Sequence, residues 1–139
     1  MIAVDVPILG INLGKVGFLS KAEMDELEAV LEKLRSGAYD LHPRMGLVGA
    51  ILPAGRPAPR TFTALNDIVI ARGSLARVVR LDASIDESHH ATFVADGLVV
   101  SSPTGSTGYS FSAGGPILDP HSRNLVVTPI AGYLSAIRS

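Results

Sequence analysis

Cysteine is absent from all 139 residues, which excludes disulfides, thiolate metal sites and a cysteine nucleophile. An excess of either charge is also missing. Twelve Lys and Arg stand against 13 Asp and Glu, for a net charge of −1, which argues against the basic balance of a nucleic-acid module. No apolar run reaches the roughly 18–20 residues of a membrane helix. The start, Met1-Ile2-Ala3-Val4-Asp5-Val6-Pro7, lacks the cationic region and small-residue cleavage site of a secretory signal, so a cytoplasmic protein is expected. No repeat at a fixed period and no low-complexity tract occurs. What is present is a hydrophobic share of 47%. A chain of this mass can fold to an exposed surface of roughly 6,900 Å², about a third of the unfolded value, without staples. Strand-like residues begin almost at Met1, and Val126 to Ser139 has no polar tail; both ends read as those of a cut-down chain.

Val6 to Asn12 reads as a buried strand, followed by the glycine-bearing segment Leu13 to Leu19. Ser20 to Ser36 reads as a helix. Ser20 and Glu23 make a capping-box pattern, Met24, Leu27, Val30, Leu31 and Leu34 recur at helical spacing, and Gly37 is a natural stop. Strands are expected in Leu41 to Leu52, Thr61 to Arg72, Leu75 to Ile85 and Leu125 to Ile130. Arg72-Gly73-Ser74 reads as a turn, and Thr92 to Ser101 as two short strands around the hairpin-type dipeptide Asp96-Gly97. Ser110 to Gly115 reads as a short second helix. One helix followed by strands without alternating helices predicts an α+β, mostly β fold with antiparallel pairing.

The densest chemical signal is Ser101 to Pro116, SSPTGSTGYSFSAGGP. Its hydroxyls supply donors and acceptors, and Gly105 and Gly108 let backbone amides approach a ligand. A polar surface turn is the competing reading. The stretch has no lysine for a Walker A loop, and Gly10, Gly14 and Gly17 lack dinucleotide-fingerprint spacing. Gly108-Tyr109-Ser110-Phe111-Ser112 fails the last position of a nucleophile elbow. Asn66-Asp67 interrupts Ala64-Leu65 and Ile68-Val69-Ile70. Within a strand one of the pair would face the core and need a partner. Either it is a bulge or turn, or it clamps a ribose or base through paired donors and acceptors. Asp96 reads most simply as a turn residue. His89-His90 and His121 have no metal-ligand spacing, so no metal site is expected there. The acidic run Glu23 to Glu32 reads as the solvated face of its helix.

Taken in order, these segments resemble the NAD kinase family. Pro7 to Leu19 (PILGINLGKVGFL) is similar to the segment leading from the family's nucleotide domain into its β domain. Leu65 to Gly73 (LNDIVIARG) resembles its Asn-Glu/Asp motif. Ala95 to Pro116 (ADGLVVSSPTGSTGYSFSAGGP) resembles its long signature, and Thr128-Pro129-Ile130 its later TPI motif. The resemblance implies transfer of the ATP γ-phosphate to the 2′-hydroxyl of the adenosine ribose of NAD, giving NADP. By position, it implies Phe18 packing against adenine and Asn66 and Asp67 holding the adenosine part of NAD. Thr104, Thr107, Gly108 and Tyr109 would line the nucleotide pocket, with Ser112 near the second ribose. Asp96 would approach NAD, in some members from a neighbouring subunit.

The chain departs from the family pattern in three places. No GGDGT motif occurs in it, and with that motif goes the aspartate that would activate the hydroxyl. Ser102 stands where threonine is usual, and Gly132-Tyr133 stands where Pro-His often follows the TPI motif, with the usual closing strands missing.

The expected arrangement is a two-sheet antiparallel β domain of the NAD kinase type, with one strand and the Ser20–Ser36 helix from the linking region against one face. Residues 1–19 would end a nucleotide domain and residues 20–139 form a truncated NAD-binding domain. The resemblance implies ATP with Mg²⁺, a homo-oligomer (dimer or tetramer), no nucleic acid or membrane partner, and no catalytic residue or metal ligand in this chain. Alone, the chain is expected to be inactive as a kinase. The alternatives are a non-catalytic dinucleotide-binding or oligomerisation module and, further off, a lipid kinase relative.

Overall fold

A computed structural model describes residues 6–13, 20, 22–55, 58–73 and 77–132. The readings made on Phe18, Gly14, Gly17 and Ser74 lie outside these residues. Ala3–Arg44 form one compact unit and Met45–Ser139 belong to another, so by contact the helix goes with the N-terminal segment.

In the first unit, β1 (Ile11–Asn12) pairs in parallel with β2 (Ala22–Glu23), and Asn12 Nδ2 donates to the Glu23 carboxylate at 3.1 and 3.2 Å. This ladder holds residues 22 and 23 extended, so the helix does not begin at Ser20. A 3-10 turn over Met24–Glu26 leads into α1 (Leu27–Ser36). The capping box is present but three residues later than expected. It is built on Glu23 and Glu26, with Glu26 Oε2 accepting the Glu23 amide at 3.0 Å. The stop falls as expected. Gly37 takes a left-handed φ of 73°, and its amide and that of Ala38 cap Leu34 and Lys33 carbonyls at 3.3 and 2.9 Å, the Schellman pattern. No residue of α1 is buried; Leu31 and Leu34 are exposed, and Leu27 and Val30 half-buried.

The second unit is almost all antiparallel strand. β3 (Leu47–Ile51) pairs with β4 (Arg60–Ala64), and Phe62 sits opposite Gly49. A Cβ on Gly49 would lie 2.6 Å from the Phe62 ring and 2.9 Å from Ile68 Cδ1, so the missing side chain is the seat for both. The run Thr61 to Arg72 is therefore two strands, not one. The chain bends at Leu65-Asn66, and β5 (Asp67–Ala71) enters a different sheet. β6 (Val79–Ile85) and β7 (Ser88–Ala95) form a hairpin whose turn is Asp86-Glu87, with φ of 48° and 65°.

Asp96-Gly97 is not a hairpin turn, because β8 (Gly97–Ser101) does not pair with β7. It lies between β5 and β9 (Val126–Ile130). Asp96 is thus the bend at which the chain crosses from one sheet to another. The reason is hydrophobicity. β8 is the most buried strand, with Leu98 and Val99 in the core, and it needs a neighbour on each edge.

The α+β, mostly β class holds. Among the described residues, hydrogen bonding groups the antiparallel strands as β3-β4, β5-β8-β9 and β6-β7. The exposed surface is 10851 Å², well above the area expected for this mass. Sheets of two and three strands leave apolar residues such as Val48, Ile51, Val69, Ile70 and Val127 exposed.

Candidate functional site

β8 ends in a cluster of buried hydroxyls. Ser101, Ser102, Thr104, Ser106 and Ser110 are all buried, which polar side chains tolerate only when paired. Most are. The Ser102 hydroxyl donates to the Leu65 carbonyl at 2.6 Å and accepts the Gly105 amide at 3.2 Å. The Ser102 amide donates to the Asn66 carbonyl at 2.9 Å, and the Ser101 hydroxyl reaches the same oxygen at 3.4 Å. Ser106 donates to the Pro103 carbonyl at 2.7 Å and accepts the Leu118 amide at 3.0 Å. Ser110 and Thr128 share a buried hydroxyl pair at 2.8 Å, tying α2 (Tyr109–Ser112) to β9.

These bonds bring two separate sequence signals together. The bend carrying Asn66 lies against the 3-10 turn Thr104–Thr107, so closely that a Cβ on Gly105 would overlap the Asn66 carbonyl and come within 2.7 Å of its Cα. Gly105 is the residue that permits this approach. Asn66, expected within a strand, is an exposed bend residue; Asp67 is half-buried at the start of β5, opposite Ser101. The turn reading and the ligand reading of this pair are therefore compatible, since the bend presents polar groups beside the loop.

Along that loop, Thr104 is only 5% exposed, and its Oγ1 is buried without a hydrogen-bond partner. An unpaired buried hydroxyl costs about 1–3 kcal/mol, so it is the group on this surface most in need of a ligand or water. Thr107 is half-buried, while Gly108, Tyr109 and Ser112 are exposed along the rim. The Ser112 amide donates to the Gly108 carbonyl at 3.2 Å, closing the short helix. The helical stretch within the expected Ser110 to Gly115 begins one residue earlier and ends at Ser112.

Asp96 is not brought to this cluster. It stands at the opposite end of β8, about 20 Å from Ser102 at strand rise. There it forms an ion pair with Arg72 at 3.1 Å, accepts the Arg72 amide at 3.0 Å and donates its own amide to Ile130 at 2.9 Å. The histidines occupy other places. His89 Nε2 lies 3.2 Å from Thr92 Oγ1, which donates to Asp82, and His121 pairs with Asp119 at 3.2 Å. Among the described residues no group of three or more His, Asp or Glu could hold a metal ion. Sequence reasoning missed the supporting roles of Leu65, Gly115 and Thr128. A Cβ on Gly115 would lie 2.5 Å from Thr128 Oγ1, so glycine is required where the hydroxyl pair meets the loop.

The ATP-NAD kinase C-terminal domain family matches residues 65–138 and the ATP-NAD kinase N-terminal domain family residues 1–39. The chain is 46% identical over 135 residues to an NAD kinase of Natranaerobius thermophilus, covering 97% of this chain and 47% of that protein. It is 51% identical over 128 residues to the NAD kinase of Moorella thermoacetica, covering 91% and 40%. The chain thus spans about half the length of the curated relatives it matches. Its structure is similar to yeast NADH kinase complexed with NADH, with a TM-score of 0.88 and 32% identity over 98% of this chain and 40% of that one. It is also similar to an NAD kinase from Archaeoglobus fulgidus in complex with ATP, with a TM-score of 0.77 and 30% identity over 95% and 50%. A matched family domain over more than half of the chain shows that this chain belongs to the ATP-NAD kinase family.

Proposed function

We propose that this chain supplies the NAD-binding part of an NAD kinase, which phosphorylates the adenosine-ribose 2′-hydroxyl of NAD at the expense of ATP. The observation that carries the reading is the Asn66 bend locked against the Thr104–Thr107 turn, with a buried Thr104 hydroxyl lacking a partner at the junction. Relatives solved with NADH and with ATP support it.

In the reaction the 2′-oxygen forms a bond to the γ-phosphorus, ADP leaves with the bridging oxygen, and the hydroxyl proton passes to a base. This chain's part is to bind and orient. The carboxamide of Asn66 and the carboxylate of Asp67 meet ribose hydroxyls or adenine, Thr104 and Thr107 offer hydroxyls, and Gly108 leaves backbone open to the ligand. Tyr109 offers an exposed ring face, Ser112 reaches the second ribose, and Phe18 packs on adenine. Asp96, remote from the cluster within one chain, serves NAD bound to a neighbouring copy in a homo-oligomer. Mg²⁺ would accompany ATP, and among the described residues no group of three or more His, Asp or Glu is placed to hold it. The enzyme would work in the cytoplasm.

Titration of the chain with NAD, followed by calorimetry, should give saturable heat that weakens on Asn66→Ala. Joined to the part of the Moorella relative that this chain does not span, the chain should form NADP from NAD and ATP; without that part it should form none. A fusion that binds both substrates and stays inactive would favour the second reading, a non-catalytic dinucleotide-binding module.

A further inference from the structure

We propose that Ser102 is a positioning residue of the dinucleotide site, a role that rests on the reading above. Its hydroxyl is fully buried and makes two bonds of opposite sense, donating to the Leu65 carbonyl at 2.6 Å and accepting the Gly105 amide at 3.2 Å. Its own amide takes the next carbonyl along, that of Asn66, at 2.9 Å. One residue therefore holds both consecutive carbonyls of the Leu65-Asn66 bend and the Gly105 amide in the 3-10 turn that follows. No other side chain hydrogen bond described between the bend and the loop reaches Gly105.

The geometry gives this bridge a specific consequence. Gly105 has no side chain, and its backbone lies directly on that of Asn66. Contact alone sets a minimum separation; it does not stop the bend from lifting away. The Ser102 amide and the Ser101 hydroxyl tie the Asn66 carbonyl to the end of β8, and the Ser102 hydroxyl adds the side-chain link that joins the Leu65 carbonyl to the Gly105 amide. It thereby helps fix the distance between the Asn66 side chain and the unpartnered Thr104 hydroxyl, the residue just before Gly105. Without the hydroxyl, the Leu65 carbonyl can turn to water, since Leu65 is exposed, but the Gly105 amide cannot do so as readily, because Gly105 is buried. The loop would then move to satisfy its amide, taking Thr104 with it.

The test compares Ser102→Ala with Ser102→Thr in the 139-residue chain, reading NAD affinity by calorimetry and amide exchange at Gly105 by NMR. Ser102→Ala should weaken NAD binding about tenfold and speed exchange at Gly105, while Ser102→Thr, which keeps the hydroxyl, should restore both. A general loss of stability would not be rescued selectively at Gly105. Unchanged affinity in Ser102→Ala, or a threonine variant as weak as the alanine one, would overturn the proposal. Should the unaltered chain bind no NAD, the reading of the site fails, and the bridge is still judged by exchange. Fast Gly105 exchange in the unaltered chain overturns it, including when the alanine variant does not fold.

Discussion

Gly105 and Gly108 are three residues apart in one loop, and their surroundings differ. A methyl group on Gly105 would strike the backbone of Asn66, whereas on Gly108 it would meet only the Gly105 carbonyl at 3.3 Å. Gly105→Ala is expected to force the bend and the loop apart and lose most NAD affinity, while Gly108→Ala keeps the fold and weakens binding less; paired calorimetric titrations check the order. Arg72 and Asp96 offer a milder case. The pair is about 30% exposed on each side, 29% and 30%, so solvent screens it. Arg72→Gln should lower stability by no more than about 1 kcal/mol in urea unfolding. At this scale the sequence was legible where chemistry is carried by residue type. Hydroxyls and glycines in one run marked the segment that folds into the cluster of buried hydroxyls. It was not legible where a residue acts through backbone contact. Nothing in the letters SSPTG says that Ser102 meets Leu65, because that bond spans 37 residues.

Helix and turn signals were read at the level of elements with mixed success, for physical reasons. Gly37 stops α1 because a left-handed φ is a local property that glycine alone accepts freely. The start of the helix was displaced because a two-residue parallel ladder between β1 and β2, a contact distant in sequence, overrides a local capping pattern. Asp96-Gly97 looked like a hairpin, yet the hairpin forms at Asp86-Glu87, where two non-glycine residues hold positive φ. That conformation is strained for Glu87, so Glu87→Gly should stabilise the chain by about 0.5–1 kcal/mol, read as a higher unfolding midpoint. A decrease would mean that the glutamate side chain contributes more than its backbone conformation costs.

For the whole molecule, the exposed apolar residues are the feature with consequences. Val48, Ile51, Val69, Ile70 and Val127 stand exposed on strands of two- and three-stranded sheets, and exposed apolar residues favour association where they form a patch. The chain is expected to sediment as a species larger than a monomer, and Val127→Glu should shift it toward the monomer. A monomer at every concentration would remove the support for Asp96 acting across subunits.

The sequence by itself determined the family, the absence of cysteine chemistry and the strand-rich class, because each of these rests on residue type or on short-range pattern. Only the tertiary structure decided which strands pair, that β8 is the buried strand between β5 and β9, and that Asn66 meets Gly105 while Asp96 stands apart. Those outcomes depend on hydrogen bonds between residues far apart in the chain, where burial of one strand dictates its neighbours and a single missing Cβ lets two backbones touch.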